Sequence, residues 1–176
     1  MKIIAIGAVT AGGKTTVVSA LREQLPRAAA LYFDDYTFAG EVEDYAAWQA
    51  AGADVHVWDL SPLQADIERI IRSGGYDYLL LDYPFAYQHR MIRDLLDCCI
   101  FIDTPLDIAM VRRVLRDMKD ASADEIRTEM ESYLQFARPV YVQMIQEQLA
   151  DADHVIDGAK PLAEIIREAA AIILAT

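Results

Sequence analysis

The sequence has few cysteines, few basic side chains and no long apolar segment. Its two cysteines, Cys98 and Cys99, are adjacent within an apolar run. Neighbouring residues are a poor arrangement for a framework disulfide, so both are expected to be buried thiols in a reducing, cytoplasmic environment. The chain has 16 Lys and Arg against 28 Asp and Glu, which gives a formal net charge of −12. Such a surface repels a nucleic-acid backbone, and no polynucleotide partner is expected.

The apolar runs are also too short to predict a membrane span. Apolar residues make up 54% of the 176 residues, but turn signals interrupt each run before the roughly 20 residues that a spanning helix needs. The first run, residues 1–9, leads into a glycine-rich loop and is interpreted as a buried strand rather than a signal peptide. We expect one domain over residues 1–176, with no membrane partner.

Five short apolar runs alternate with helical patterns. The predicted strands are residues 2–8, 28–33, 76–82, 98–103 and 154–157. The predicted helices are residues 15–25, 42–51, 62–73, 88–96, 105–118, 122–149 and 161–174, the third capped by Ser61 and the sixth by a box of Ser122 and Glu125. Strands that are apolar along their whole length predict a parallel sheet covered on both faces. The expected fold is a doubly wound α/β domain with a five-stranded parallel sheet, which binds ligands at the carboxyl ends of its strands.

The first strand leads into GAVTAGGKTT, residues 7–16, and then into a helix. This is the setting of a phosphate-binding loop, although Ala8 stands where the motif G-x-x-x-x-G-K-[ST] has its first glycine. Ala8 would weaken such a loop only if its position required a positive φ or crowded a phosphate. The alternative is a glycine-rich turn without a ligand. The candidate nucleotide-binding residues are Ala11, Gly12, Gly13, Lys14, Thr15 and Thr16, with the Thr15 hydroxyl also a candidate Mg²⁺ ligand.

Acidic residues follow the other predicted strands. Asp34 and Asp35 end the second strand, where a carboxylate could take a proton from an attacking hydroxyl or could simply be solvated. Asp82 ends the apolar run YDYLLLD and is the favoured metal ligand. Asp103 is its rival, but the Thr104-Pro105 pair that follows Asp103 is typical of a helix start.

An arginine cluster lies in RRVLRD, residues 112–117. Arg112 and Arg116 are four residues apart, so they share a helix face and could close together on a triphosphate, whereas Arg113 is expected to point elsewhere. The alternative is a solvated helix surface on which the arginines pair with Asp117 and Asp120.

Taken in order, these segments resemble the uridine kinase and nicotinamide riboside kinase branch of the P-loop small-molecule kinases. VTAGGKTT resembles the VTxSGKTT loop of that branch, FDDY its acid-aromatic motif, and VWDLSPLQADI its aromatic-Asp segment before a helix. IFIDTPLDIAMVRRVLRD is similar to the strand and lid helix of uridine kinases, and YLQFARPVYVQMI with DADHVIDG to their late helix and final strand. The resemblance covers nearly the whole chain.

The resemblance implies ATP and Mg²⁺ as cofactors and phosphoryl transfer to a hydroxyl of a small molecule, with a nucleoside as the expected acceptor. It implies a P-loop NTPase fold with a short lid around residues 112–127, and it admits a homo-oligomer because related kinases associate. By this resemblance Asp34 is the base, and Lys14, Arg112 and Arg116 act on the transferred group. The implied acceptor-binding residues are Asp35, Tyr36, Trp58, Asp59, Tyr83 and Arg138.

The sequence also departs from this branch. Asp82-Tyr83 stands where the family usually has Glu-Gly, and residues 74–82 are too few for the base-recognising hairpin of uridine kinases, which weakens uridine as the substrate. The lid lacks a second arginine cluster and has only Lys119 or Arg127 in its place. The alternative function is therefore a nucleotide-binding regulatory protein without small-molecule kinase activity.

Two further sets of side chains are left open by the sequence. Seven aromatic residues near the expected acceptor cleft could stack on a base or pack in the core: Tyr36, Tyr45, Trp48, Trp58, Tyr83, Phe85 and Tyr87. His56 and His89 are expected at the surface or as caps, because neither has metal-ligand spacing.

Overall fold

A computed structural model of the protein describes residues 1–40, 42, 47–48 and 51–176. The described residues form one parallel sheet of five strands: β1 (Lys2–Gly7), β2 (Ala28–Tyr32), β3 (Tyr78–Asp82), β4 (Cys98–Asp103) and β5 (His154–Asp157). The strand order is β2-β3-β1-β4-β5, and every neighbouring pair is parallel. The predicted α/β fold with a five-stranded parallel sheet is confirmed.

Helices connect the strands in the described part of the chain. They are α1 (Lys14–Gln24), α2 (Ser61–Ser73), α3 (Leu106–Asp117), α4 (Ala123–Ser132), α5 (Arg138–Asp151) and α6 (Leu162–Ala175). Short 3₁₀ turns occur at Phe33–Asp35, Val55–Val57 and Arg93–Leu95. None of the helices in the described ranges is long and apolar enough to cross a membrane.

The predicted long helix over residues 122–149 is interrupted. It begins with the predicted capping box, in which the Ser122 and Glu125 side chains each pair with the other's backbone N–H. A π-helical turn, Tyr133–Ala137, then joins α4 to α5. Pro139 lies in the first turn of α5, and because it has no N–H to donate, the regular hydrogen-bond ladder cannot run through this point.

The core lies on both faces of the sheet because alternate strand residues point to opposite sides. Ile3 and Ala5 of β1 pack with α2 on one face. Ile4 and Ile6 pack with α1 and α6 on the other. Covering both faces in this way explains why the strands are apolar throughout rather than at every second residue.

Three helix predictions need correction or lie outside the described residues. Residues 88–96 form turns and the 3₁₀ turn Arg93–Leu95 instead of a helix, because His89 and Ile92 are drawn into the core. Helix α2 begins at Ser61 itself, and Asp59 Oδ1 accepts from the Ser61 N–H at 3.0 Å. The predicted helix over residues 42–51 falls mostly outside the described residues. Within this range, the described residues 47–48 are helical.

The carboxyl ends of β1, β2 and β3 meet at one edge of the sheet. Asp82 at the end of β3 is in register with Ile6 of β1 and with Tyr32 of β2. The segments that leave the sheet here are the loop of residues 8–13, the turn Phe33–Asp35 and the stretch of residues 83–92. Residues distant in sequence are thereby brought together at this edge.

Candidate active site

The loop after β1 turns tightly into α1. The Gly12 N–H donates to the Val9 carbonyl at 2.8 Å, and Ala11 and Gly13 have φ values of 58° and 101°. Helix α1 follows Gly13 with no side-chain cap and no acidic residue in its first turn. Its free N–H groups and the positive end of the helix dipole are therefore available to an anion.

Ala8 does not strain this loop. It is absent from the residues with positive φ in the described chain, and its side chain is 2% exposed within the core beside α1. A Cβ added at Gly12 would lie 2.8 Å from the Ala8 Cβ, so the close approach depends on the glycine at position 12. The backbone condition under which Ala8 would weaken the loop is not met.

Lys14 and Thr15 converge on Asp82 at the floor of the site. The Lys14 Nζ lies 2.7 Å from Asp82 Oδ1 and 3.9 Å from Asp34 Oδ2, and the Thr15 hydroxyl donates to Asp82 Oδ2 at 2.5 Å. The Asp82 side chain is only 2% exposed, and such a buried carboxylate requires these partners. The structure thus brings the Asp82 carboxylate to the loop, and in the described chain the partners of Lys14 and Thr15 are Asp34 and Asp82 rather than Asp103.

The chemistry of these donors fits Mg²⁺. A hydroxyl and a carboxylate are the oxygen ligands that this ion prefers, and it commonly takes one or two carboxylates together with substrate phosphates. Within the described ranges, no group of three or more His, Cys, Asp or Glu could hold a metal. An ion at Thr15 and Asp82 would therefore take its further ligands from water and phosphate oxygens.

Thr104, directly after β4, ties the loop to the sheet. Its hydroxyl donates to the Gly12 carbonyl at 2.8 Å, and the bond is buried. Gly158 packs against this contact so closely that an added Cβ would lie 2.0 Å from Thr104 Oγ1. The loop conformation is therefore held partly from β4 and from the turn after β5.

A cavity of about 980 Å³ opens over the loop; we call it the central cavity. The predicted residues that line it are Ala11, Gly12, Gly13, Lys14, Thr15, Thr16, Asp34, Trp58, Arg112 and Arg116. Its volume is at the upper end of the range of small-molecule sites. The loop, the predicted base and the predicted lid residues therefore face one space.

Of the acidic pair after β2, Asp34 faces this cavity. Its side chain is 79% exposed in the 3₁₀ turn, close enough to Lys14 for the long ion pair at 3.9 Å. Asp35 is exposed and is not part of the cavity wall. The geometry therefore places Asp34, the acid that the resemblance makes the base, at the cavity and leaves Asp35 outside its wall.

The arginines of α3 all line the central cavity, so the prediction that Arg113 points elsewhere is wrong. Arg113 pairs with Glu129 of α4 at 2.7 Å, which joins α3 to α4. Arg116 makes two bonds to Asp117, of 2.6 and 2.8 Å, and this carboxylate raises the pKa of Arg116 above its ordinary value.

Of the six predicted acceptor-binding residues, one lines the central cavity and five do not. Trp58 lines the cavity, with its ring 5.3 Å from Trp48 and 5.2 Å from Phe85, which also line it. Five predicted residues are not part of the wall: Asp35, Tyr36, Asp59, Tyr83 and Arg138.

Of these five, Tyr36 donates its hydroxyl to Asp66 at 2.9 Å, and burial together with that bond raises its pKa. Tyr83 is fully buried, which raises its pKa, and it packs in the core. The Asp59 side chain accepts from the Ser61 N–H at the start of α2, and its hydrogen bonds with Ser61 lower the pKa of the Asp59 carboxyl.

Two of the other aromatic residues that the sequence leaves open are Tyr45 and Tyr87. Tyr45 lies outside the described residues. Tyr87 donates to Asp153 and is not part of the wall.

Sequence reasoning missed several wall residues. Lys160 lines the cavity after β5 and bonds Glu168 at 2.8 Å, which raises the pKa of Lys160. Helix α5 contributes residues spaced three or four apart, the spacing of one helix face, and that spacing was the signal available in the sequence. These α5 residues are Val140, Tyr141, Gln143, Met144 and Glu147. His89, expected from the sequence at the surface or as a cap, is only 1% exposed. The Nε2 atom of His89 lies 3.1 Å from the Trp58 carbonyl oxygen.

Comparisons with known proteins agree with this arrangement. Residues 77–161 match the model of the phosphoribulokinase/uridine kinase family. A uridine kinase of Streptococcus agalactiae serotype III is 33% identical over 105 residues, which are 58% of this chain and 48% of that protein. A uridine kinase of Staphylococcus epidermidis RP62A is 26% identical over 181 residues, covering 88% of this chain and 86% of that protein.

The match to the first of these relatives spans about half of its length. In the solved structures, the crystal structure of TT1252 from Thermus thermophilus has the same fold, with a TM-score of 0.58 at 18% identity and coverage of 99% of this chain and 96% of that one. The resemblance predicted from the motifs is confirmed: the chain is uridine kinase-like and is similar to the phosphoribulokinase/uridine kinase family.

Proposed function

We propose that this protein is an ATP-dependent kinase that transfers the γ-phosphoryl group to a hydroxyl of a small molecule, with a nucleoside as the acceptor. The observation that carries the proposal is the convergence of Lys14, Thr15 and Asp82 at the open end of α1. Asp34 and the lid arginines line the same cavity. The relatives named uridine kinase support the kinase class.

The residues of the site divide the work of phosphoryl transfer. The amides of the loop and Lys14 hold the polyphosphate, and Arg112 and Arg116 neutralise charge on the moving group. Asp34 orients the acceptor hydroxyl and takes its proton. Mg²⁺, when bound, would neutralise charge on the phosphate oxygens, and Thr15 and Asp82 are the residues that would hold it. Catalysis of this kind is mainly positioning and charge stabilisation.

The second candidate is a nucleotide-binding regulatory protein without kinase activity. One observation favours it: Arg113 and Arg116 are already paired with Glu129 and Asp117, which leaves fewer free charges for a transferred group. The other reason for it is Ala8 in place of the motif's first glycine, and the ordinary backbone of Ala8 leaves only crowding of a phosphate by its methyl group as a ground for this reason.

A turnover screen tests the proposal. The protein is incubated with Mg·ATP and a panel of nucleosides, vitamins and sugars, and phosphorylated products are detected by mass. Lys14→Ala is expected to abolish turnover because it removes the cation at the polyphosphate, and Lys14→Met does the same while filling the space of the side-chain stem. Lys2→Ala is the control, since Lys2 pairs with Asp97 outside the cavity.

Circular dichroism shows whether each variant is folded, because removing Lys14 leaves Asp82 buried without its cation. Turnover that is unaltered in folded Lys14→Ala refutes the role of the loop. ATP binding by the wild-type protein without a phosphorylated product from any acceptor favours the regulatory candidate.

A further inference from the structure

The charges around the central cavity are not evenly matched. Five basic side chains line it: Lys14, Arg112, Arg113, Arg116 and Lys160. Of the carboxylates in the wall, Asp34 lies beside Lys14 and Asp117 beside Arg116. The third, Glu147, forms no ion pair with any residue of the described chain. Glu147 is therefore the wall carboxylate without a cationic partner in the described chain, and it is exposed to the solvent of the cavity.

Two amides orient the Glu147 carboxylate. Gln143 donates from Nε2 to Glu147 Oε1 at 2.8 Å, and Gln88 donates from Nε2 to Glu147 Oε2 at 3.4 Å. Gln143 lies one turn earlier on α5, whereas Gln88 belongs to the stretch after β3, and both line the cavity. A carboxylate held from two elements is better positioned than a freely rotating glutamate on a helix surface.

The turn of α5 that carries Glu147 is fixed against the aromatic side of the cavity. The next residue, Gln148, is 1% exposed, and its Nε2 donates to the Pro84 carbonyl. Pro84 and Phe85 line the cavity, and the Phe85 ring lies 5.2 Å from Trp58. Glu147 thus belongs to the wall that supplies flat apolar rings, a surface suited to a base.

We propose that Glu147 determines acceptor specificity by selecting nucleosides whose base carries an exocyclic amine and by rejecting those with a carbonyl in that place. The inference rests on the proposed kinase function and names the substrate class. An ionised carboxylate only accepts hydrogen bonds. It therefore pairs with an amine, as Glu and Asp do with the cytosine amino group, and it repels a carbonyl oxygen.

Two matched pairs of acceptors test this interaction. On the same ribose, cytidine differs from uridine, and adenosine from inosine, by an amine in place of a carbonyl and by an unprotonated ring nitrogen in place of the neighbouring ring N–H. We expect wild-type kcat/KM to favour the amine member of the pair that is turned over by about tenfold or more, the order expected for a hydrogen bond to a charged group.

The variant Glu147→Gln keeps the size of the side chain but can present either an oxygen or an NH₂ group. It is expected to bring the amine-to-carbonyl ratio close to one, with an unchanged KM for ATP. Glu131→Gln is the matched control, because Glu131 is exposed on α4 and does not line the cavity. It is expected to keep the wild-type ratio. Thermal melting confirms that both variants are folded.

The outcomes separate this inference from the proposed function. A preference for the carbonyl member, a ratio that Glu147→Gln leaves unaltered, or turnover confined to acceptors without an amine overturns the role of Glu147 while the kinase function stands. If the wild-type protein phosphorylates no acceptor at all, the proposed function fails and the inference falls with it.

Discussion

Ala8 shows how one side chain can occupy a position that the loop motif gives to glycine. Its methyl group is buried against the core beside α1, and its backbone does not adopt a positive φ. The close contact of the loop is instead made at Gly12, where an added Cβ would be 2.8 Å from the Val9 carbonyl oxygen. The motif tolerates the substitution because the constraint on the backbone lies at another residue.

The variant Ala8→Gly tests this interpretation. Removing a buried methyl group and loosening the unfolded chain should lower the free energy of unfolding by about 1 kcal/mol. Affinity for Mg·ATP should stay within about twofold, since the methyl group strains no backbone. Urea denaturation and titration calorimetry measure the two effects.

Ala159→Gly is the control, because Ala159 is exposed and loses mainly the chain-entropy contribution. Distinctly tighter ATP binding by Ala8→Gly would contradict the interpretation, because it would mean that the methyl group crowds a phosphate.

Between elements, the loop depends on the residue that directly follows β4. Thr104 donates to the Gly12 carbonyl at 2.8 Å from the end of that strand, and Gly158 after β5 leaves room for it. Helix α5 is held to the stretch after β3 in a comparable way through Gln148. The site is therefore assembled by buried polar contacts between elements that are far apart in sequence.

The variant Thr104→Val removes the donor and keeps the shape of the side chain. The Gly12 carbonyl is then left buried without its partner, which should lower the free energy of unfolding by about 1–3 kcal/mol. A less restrained loop should also bind Mg·ATP more weakly.

Thr128→Val is the matched control, since the Thr128 hydroxyl bonds the Asp124 carbonyl on an exposed helix turn. Its effect should stay within about 0.5 kcal/mol. Equal losses for the two variants would show that the buried bond to the loop has no special role.

At the scale of the whole molecule, burial sets a pH dependence of stability. His89 is 1% exposed, and burial lowers its pKa, as do His56 and Arg90, while the Trp58 carbonyl and Asp54 oppose the shift. The Met91 N–H lies 3.4 Å from His89 Nδ1, so the folded protein holds the neutral ring. Asp59, whose carboxyl also interacts with His89, has a lowered pKa of its own.

The direction in which the free energy of unfolding changes with pH follows from proton binding. As pH falls through about 6.5, the ordinary value for histidine, the unfolded chain takes up a proton before folded His89 does. The unfolded state then binds more protons, and the free energy of unfolding decreases with falling pH. Carboxylates with lowered pKa, such as Asp66 and Asp117, lose their contributions only in a more acidic range, around pH 4 and below.

Urea denaturation from about pH 7.5 to about pH 5 measures this dependence. The variant His89→Gln should have a shallower slope than the wild type over that interval, although it is less stable. His154→Gln is the control because His154 is exposed on β5. Identical slopes for wild type and His89→Gln would exclude His89 as the cause.

The charge of the whole molecule is also arranged unevenly. The net charge is −12, yet five of the 16 basic residues line the central cavity. A protein that repels polyanions over most of its surface can thus bind a small one where its few cations and the end of α1 converge.

Local patterns were sufficient to predict the fold class, the boundaries of the five strands to within two residues, and the strand-loop-helix arrangement around residues 7–16. Short strands that are apolar along their whole length are typical of a sheet that is buried on both faces. A glycine-rich turn between a strand and a helix exposes its backbone amides wherever it occurs. These features depend on neighbours in sequence, which is why the sequence alone determined them.

Only the tertiary structure decided which side chains share the cavity. Trp58 and Tyr83 are both aromatic residues beside an aspartate and both are buried in the same core cluster, yet only Trp58 also lines the cavity. Glu147 and Lys160 come from late elements with no motif to mark them. Their roles depend on how separate elements pack, and that packing is a property of contacts across the sheet rather than of any local stretch of residues.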